Sequence, residues 1–477
     1  MAFSNDNDID FEKRRPSVES KALRINLNPS IYGTFAEIGG GQEVARHFFR
    51  VGAASGTVAK TISAYDKNFS DNIYGEEEDG RYVTEIRLEK MLEYEMNLLE
   101  NRIKKSDNPN KIFFTYANTV ATIDFTKKYK GHGWMGLKFQ TKPNESYSEV
   151  ILHVRFHQTN AKLQQEDLGI IGVNLIYGCF YKHENPKKLL KYLYDHVDKD
   201  SIEIDTINFK GPLFKNVDNR LISLELIKNN MTKAVMFNPE GNNVLPSRIL
   251  YKKNILALRG SFRPVTKVNI DMFEKSLKIF MKEKEVNENN TQVIFEITLS
   301  NLMESGEIDE KDFMDRAKLL CSMGKTVMIS NFKEYYKLVD YFSNYTKQKL
   351  GLTMGISSLV EVFNENYYKD IDGGILEAFS KMFHDNVKVF LYPIYDKKGN
   401  IVNSNNLKLD PRMKDFYKFF KYNEKFIDIT DYEEEFLNIF SRVILKEIKD
   451  NKTKNWKNKL PEGISEIIIK NNMFGYK

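Results

Sequence analysis

The chain reads as an α/β protein made of two dissimilar halves. The first is an N-terminal α+β region with a small antiparallel sheet; the second is a C-terminal region of repeated βα units on a mainly parallel sheet. Three observations predict this. Between Lys111 and His157 the runs "KIFFTYANTVAT", "GWMGLKFQT" and "EVILHVRFH" are short, β-branched or aromatic, and broken by turn residues, as antiparallel strands are. From Ile202 onward, apolar runs alternate with helical stretches, the pattern of strands buried on both faces. A hydrophobic fraction of 41% over 477 residues provides for two or three cores.

The expected domains are a flexible tail over 1–24, a glycine-rich α+β domain over 25–200, an α/β domain over 201–420, and a helical, lysine-rich C-terminal extension over 421–477. In the first domain "QEVARHFFRV" places Val44, Phe48 and Val51 at helical spacing, with Gly41 before and Gly52 after. A second short helix is expected from Ser55 through "TVAKTISAY". Leu88, Leu92, Leu99 and Ile103 predict an amphipathic helix over 84–104, and "AKLQQEDLGIIGVNLIYGCFYK" a largely buried one, followed by another over 187–196.

The second half offers the strand candidates "IEIDTINF", "AVMFN", "ILALRG", "QVIFEITL", "TVMISN", "LGLTMGI" and "VKVFLYPIY". Between them lie helices such as "DNRLISLELIKNN", "DMFEKSLKIFM", "DEKDFMDRAKLLCSM" and "FKEYYKLVDYFSNY". An open sheet is preferred to a distorted barrel. "DKKGNIVNSNN" reads as a hairpin, and "LKEIKDNKTKNWKNKL" as a solvated helix and tail.

Composition narrows the function classes. Basic residues number 71 and acidic 66, a net +5 without a concentrated basic stripe, which argues against nucleic acid. Cys179 and Cys321, isolated in apolar runs, read as small core residues in a reducing compartment rather than a disulfide or zinc set. The polar N-terminus has no secretory h-region, and no run of 18 apolar residues occurs. The expectation is a soluble cytoplasmic protein that engages no membrane.

Six of the 26 glycines fall between Tyr32 and Asp66. Gly39, Gly40 and Gly41 precede a predicted helix, whose first N–H groups and dipole suit an anion, with Arg46 and Lys60 nearby. The segment fails the P-loop pattern, because Lys60 stands four positions after Gly56, and it fails the dinucleotide fingerprint, because Val44 occupies the third glycine position. Tight turns and helix packing explain the same glycines.

In "EVILHVRFH", alternation sets Val150, Leu152, Val154 and Phe156 on one face and His153, Arg155 and His157 on the other. That stripe suits a phosphate or carboxylate, with His153 or His157 moving protons; an ordinary solvent-facing strand has the same pattern. His47, beside Phe48 and Phe49, reads as a packing residue. Ligands of parallel sheets lie beyond the strands' carboxyl ends, which selects Arg259, Arg263, Glu296, Asn331 and Ser357. Arg259 and Arg263 are the anion candidates. Glu296, inside an apolar strand, is either paired to a cation or tuned for acid–base work. No metal-ligand spacing appears.

The blocks "YGTFAEIGGGQEVARHFF", "GTVAKTISAYD", "FSDNIYG", "LGIIGVNLIYG", "VDNRLISLELI", "RGSFRPVT" and "GKTVMISNF" resemble a bacterial family of about this full length. Its members carry the labels nicotinate-nucleotide adenylyltransferase and TonB-dependent receptor. The first label implies a His-x-Gly-His signature after "GTF", where this chain has Ala36-Glu37-Ile38-Gly39; the second implies an export signal and many outer-membrane strands. The resemblance thus carries family membership and no catalytic residue. The functional expectation is a protein binding a phosphorylated metabolite or nucleotide, with magnesium where a nucleotide is bound, and acting as a nucleotide-dependent transferase. In that reading the glycine, histidine and arginine segments meet in one cleft between the halves. The alternative is a non-catalytic scaffold, and the aromatic content leaves room for a homo-oligomer.

Overall fold

The computed structural model describes residues 15–77, 80–103, 108–128, 130–304, 306–450 and 455–477. The chain forms two units, residues 1–232 and 233–477, so the divide falls later than residue 200. The reason is strand pairing. "IEIDTINF" forms β6 (Ile202–Lys210), which adds antiparallel to the first sheet rather than opening the second.

The first sheet has six strands in the order β2-β1-β3-β4-β5-β6, where β1 is Ile31–Gly39, β2 Val58–Ala64, β3 Ile112–Ala121, β4 His132–Phe139 and β5 Ser148–Phe156. β1 runs parallel to β2 and β3, whereas β3 through β6 are antiparallel. "TVAKTISAY" is therefore the edge strand β2 and not a helix, which overturns that expectation: β1 supplies its backbone partners. Residues 85–102 and 161–181 are the helices their periodicity predicts.

Each long helix covers one face. Ala36, Ala117, Gly136 and Ile151 share one register row, small enough at its centre that Leu92 of helix Glu85–Arg102 lies 3.2 Å from a Cβ placed on Gly136. On the other face Phe35 and Tyr116 pack under helix Ala161–Tyr181, where Gly172 admits the Tyr116 hydroxyl and Val44. Residues 15–26 are not a tail. Helix Val18–Asn26 is capped by Ser17 and buries Lys21, whose Nζ donates to Asn174 Oδ1 at 2.7 Å and Asp195 Oδ2 at 2.9 Å. Positions 1–14 of the expected tail lie outside the described residues.

The second sheet has eight strands in the order β16-β13-β12-β9-β10-β11-β7-β8. They span β7 Ala234–Phe237, β8 Asn243–Val244, β9 Asn254–Arg259, β10 Thr291–Thr298, β11 Val327–Ser330, β12 Leu350–Gly355, β13 Val387–Tyr392 and β16 Phe426–Asp428. The hairpin expected at "DKKGNIVNSNN" is formed by β14 (Ile394–Tyr395) and β15 (Ile401–Val402). Six strands are parallel, and counted along the chain their spatial order is 3-2-1-4-5-6, the doubly wound arrangement with its reversal between β9 and β12. β7 joins β11 antiparallel at one edge. One face carries a large core of Ile255, Ala257, Leu352, Val389 and the aromatics Phe363, Phe379, Phe383 and Phe420; the other packs Leu256, Phe280 and Phe390.

The lysine-rich C-terminal stretch is not a solvated tail either. Ile444, Ile448, Trp456, Leu460 and Ile468 are buried, and Phe474 N donates to Asp315 Oδ2 at 2.8 Å. Among the described residues, no helix is long and apolar enough to cross a membrane.

Candidate functional site

Two polar clusters of the first unit lie at the same end of its sheet but on opposite faces. Register decides this, because partners across a ladder project to one side. Glu37, Asn118, Met135 and Leu152 form one row; Ile38, Thr119, Trp134 and His153 form the next, facing the other way.

On the His153 face three side chains are linked in series. His153 Nδ1 lies 2.7 Å from Asp205 Oδ1, and its Nε2 lies 3.1 Å from His132 Nδ1. A bulge makes the first contact. Opposite His153 and Val154 the register of β6 slips, inserting Asp205 between the partners Ile204 and Thr206, and the extra residue turns its carboxylate onto the histidine. Asp205 and His153 are buried; His132, at the start of β4, is half-buried and forms the outer end. Trp134 packs on the His153 ring at a centroid distance of 5.0 Å.

Hydrogen-bond logic assigns the protons. A carboxylate on Nδ1 requires Nδ1–H on His153, which leaves Nε2 to accept from Nδ1–H of His132. His132 then presents Nε2 as an acceptor. Burial first, then the neighbouring His153, Arg155 and Arg81, push its pKa down to about 3, so the ring is neutral at physiological pH.

Arg155 pairs with His132 across β4 and β5 and with Glu203 across β5 and β6. Glu203 Oε2 is 3.9 Å from Arg155 Nη1 and 3.4 Å from His157 Nε2, while Thr232 Oγ1 donates to Oε1 at 2.5 Å. Burial alone would raise the Glu203 pKa, but these partners together hold it at about 2. Along this face the helix Glu85–Arg102 meets Asn208 through Glu85, Lys210 through Glu89, Lys138 through Glu93 and Tyr147 through Glu100.

On the opposite face Glu37 accepts from Val44 N at 3.0 Å and lies 3.5 Å from Asn118 Nδ2. Burial raises its pKa to about 8 despite those donors. The glycines expected to hold an anion fit closely against β3. A Cβ on Gly39 would meet Val120 O at 2.2 Å, one on Gly40 the Thr122 methyl at 2.6 Å, and one on Gly41 Asn118 Oδ1 at 2.0 Å. Arg46 pairs with Glu43 at 3.2 Å on the surface, Lys60 pairs with buried Glu95, and His47 packs beside Gly169.

In the second unit Arg259 holds both oxygens of fully buried Glu296, at 2.8 and 3.0 Å; Ser330 Oγ adds a bond at 2.6 Å, and Tyr335 stacks 4.3 Å from the guanidinium. Arg263 Nε donates to Asp312 Oδ1 at 2.6 Å, and Asn331 N to Lys233 O. Ser357 lies in the helix that follows β12. Thus Arg155 and His153 share one corner with His157, while Arg259 and Glu296 bind each other.

His132 was missing from the sequence-derived set. Its signal is a histidine between two glycines at a strand start, "KGHGW", that antiparallel pairing sets opposite Arg155. A cavity of about 590 Å³ opens elsewhere in this unit, beside Thr141, Lys142, Glu145 and His183, and contains none of these residues. Among the described residues, no group of three or more His, Cys, Asp or Glu side chains is arranged to hold a metal ion.

No family model matches the chain, and no curated protein matches it. Solved structures of the competence-damaged protein (CinA) superfamily are similar to part of it. One from Klebsiella pneumoniae is 11% identical with a TM-score of 0.26, covering 34% of this chain and 95% of its own. One from Agrobacterium tumefaciens is 14% identical with a TM-score of 0.22, covering 33% and 88%. One from Escherichia coli is 9% identical with a TM-score of 0.23, covering 37% and 90%.

Proposed function

We propose that the first unit is an enzyme that binds a small phosphorylated metabolite or nucleotide at the Arg155–His132 corner and moves a proton on it. The observation that carries this reading is the Asp205–His153–His132 series, buried at one end and half-buried at the other. A histidine oriented by a carboxylate is the usual arrangement for general acid–base work, and Arg155 supplies the charge for an anionic substrate. Glu203, which also meets His157, pairs with Arg155 beside it. Arg259, Arg263 and Glu296 fall to the structural role in this reading, because each is answered by a protein partner. The scaffold reading is favoured by the glycines at 39–41, whose space is taken by β3 and its neighbours.

A thermal-shift screen of nucleotides with and without magnesium, nicotinamide derivatives and sugar phosphates tests it. A ligand at 100 times its Kd adds about 2.7 kcal/mol of stability. The expected result is a stabilising phosphorylated ligand whose effect Arg155→Ala abolishes. A full response in both Arg155→Ala and His132→Gln would remove the corner from consideration.

A further inference from the structure

We infer that the cavity of the first unit bordered by Lys142, His183 and Asn216 is a binding site for a zwitterionic amino acid with an apolar side chain. The cavity opens past the end of β4 opposite His132, so its ligand is independent of the Arg155–His132 corner.

Aromatic packing brings its walls together. β4 ends in Phe139, which meets Phe180, near the end of helix Ala161–Tyr181, at 5.7 Å and Phe214, shortly after β6, at 6.3 Å. Three connections therefore converge there: 140–147 between β4 and β5, 182–185 between two helices, and 211–217 after β6. Each is tied down locally. Buried Gln140 accepts from Phe113 N at 3.0 Å and donates to Glu145 O at 2.7 Å. Asn185 caps the helix Pro186–Leu193, and Ser148 Oγ accepts from Leu213 N at 3.1 Å. The space left between the three, about 590 Å³, falls within the range of small-molecule sites and is shaped before any ligand arrives.

Its chemistry selects the guest. Pro186, Leu213 and Val217 make an apolar wall. Lys142 and Glu184, both exposed, border the same space, yet among the described residues their side chains pair neither with each other nor with anything else. Asn216 adds a side-chain amide that no described residue engages. His183, in the same wall, buries Nδ1 without a hydrogen-bond partner, a cost that a polar guest in the cavity is placed to offset. Glu145, by contrast, is answered by Thr141 Oγ1 at 2.8 Å. One uncommitted cation and one uncommitted carboxylate around an apolar hollow complement a molecule that carries both signs beside an apolar group. In that fit the carboxylate of the amino acid meets Lys142 and Asn216, its ammonium meets Glu184, and its side chain lies on Leu213 and Val217. A simple anion or a simple amine would answer one charge and leave the other.

The test is calorimetric titration of the full chain with L-phenylalanine. Beside it stand phenethylamine, which keeps only the ammonium, and 3-phenylpropionate, which keeps only the carboxylate. Phenylalanine should bind about tenfold more tightly than either. Lys142→Gln should weaken phenylalanine about tenfold and leave phenethylamine unchanged; Glu184→Gln should weaken phenylalanine about tenfold and leave 3-phenylpropionate unchanged. Lys142→Arg, which keeps the charge, should keep the binding. Both side chains are exposed, so unchanged thermal midpoints in these variants separate loss of binding from loss of fold.

No saturable binding of phenylalanine up to about 10 mM overturns the inference. Equal affinity for phenylalanine and either single-charge analogue does the same, as does full affinity for phenylalanine in either Gln variant. None of these results bears on His132 or Arg155, which the ligand screen described above judges.

Discussion

The two units each bury a carboxylate against a nitrogen base, and the two arrangements end differently. Glu296 meets Arg259 in a two-pronged contact completed by Ser330, so every oxygen finishes inside the protein. Asp205 meets His153, which hands its other nitrogen to half-buried His132. A closed pair holds strands together; an open series has one member left at the outside to meet something else. Burial and charge alone do not separate the two, since Glu296, Asp205 and His153 are all buried.

The comparison can be broken most forcefully at the closed pair. Arg259→Met strands Glu296 beside Ser330 alone and should cost about 3–5 kcal/mol in urea denaturation, the range for a buried ion left without its partner. Arg259→Met with Glu296→Met should recover most of that loss, because apolar replacement of both members is close to neutral. A double variant as unstable as the single would show that the pair is more than self-contained. At the open series the expectation reverses: His132→Gln should change stability by less than about 1 kcal/mol while lowering proton-transfer activity by about 100-fold or more.

The acid–base behaviour of the first unit sharpens the contrast between its faces. Glu37 is raised to about 8, so its stabilising contribution is complete below the unfolded carboxylate value and is lost as pH rises toward 8. Glu203 is held at about 2, so its contribution is present at neutral pH and disappears as pH falls below the unfolded carboxylate range toward 2. Glu37→Gln should thus flatten the fall of stability between the unfolded carboxylate value and about 8, as followed by thermal unfolding from pH 4 to 9. The smallest expected effect is Thr119→Val, about 1 kcal/mol for the one hydrogen bond to Tyr82 O; a larger loss would mean that the segment leading into helix Glu85–Arg102 depends on that bond.

Much of the fold was legible because period and burial agree. β3, β4 and β5, the helices over 85–102 and 161–181, and the alternating elements of the second unit all follow their sequence pattern. β2 was hidden because "TVAKTISAY" mixes Ala and Lys with β-branched residues, and as an edge strand it buries only Ala64 fully. Helix Val18–Asn26 was hidden because the side chains it buries most fully include Lys21, a charge that finds its partners far along the chain, among them Asn174 and Asp195. In the C-terminal stretch, lysines outnumber the apolar residues that dock, so Trp456 and Leu460 passed for exposed. At the site, alternation found His153, Arg155 and His157. It could not find Asp205, whose direction depends on a register slip, nor His132, whose role depends on which strand lies next to β5.

The bond from Phe474 to Asp315 joins positions 159 apart in the chain. Ring closure over that span is entropically slow, and such long-range contacts form after the local ones. The doubly wound sheet can assemble before it; the final clasp cannot. A protease that nicks the segment just ahead of Phe474 would therefore leave the strands paired while taking from Asp315 the N–H donor that favours its carboxylate against burial.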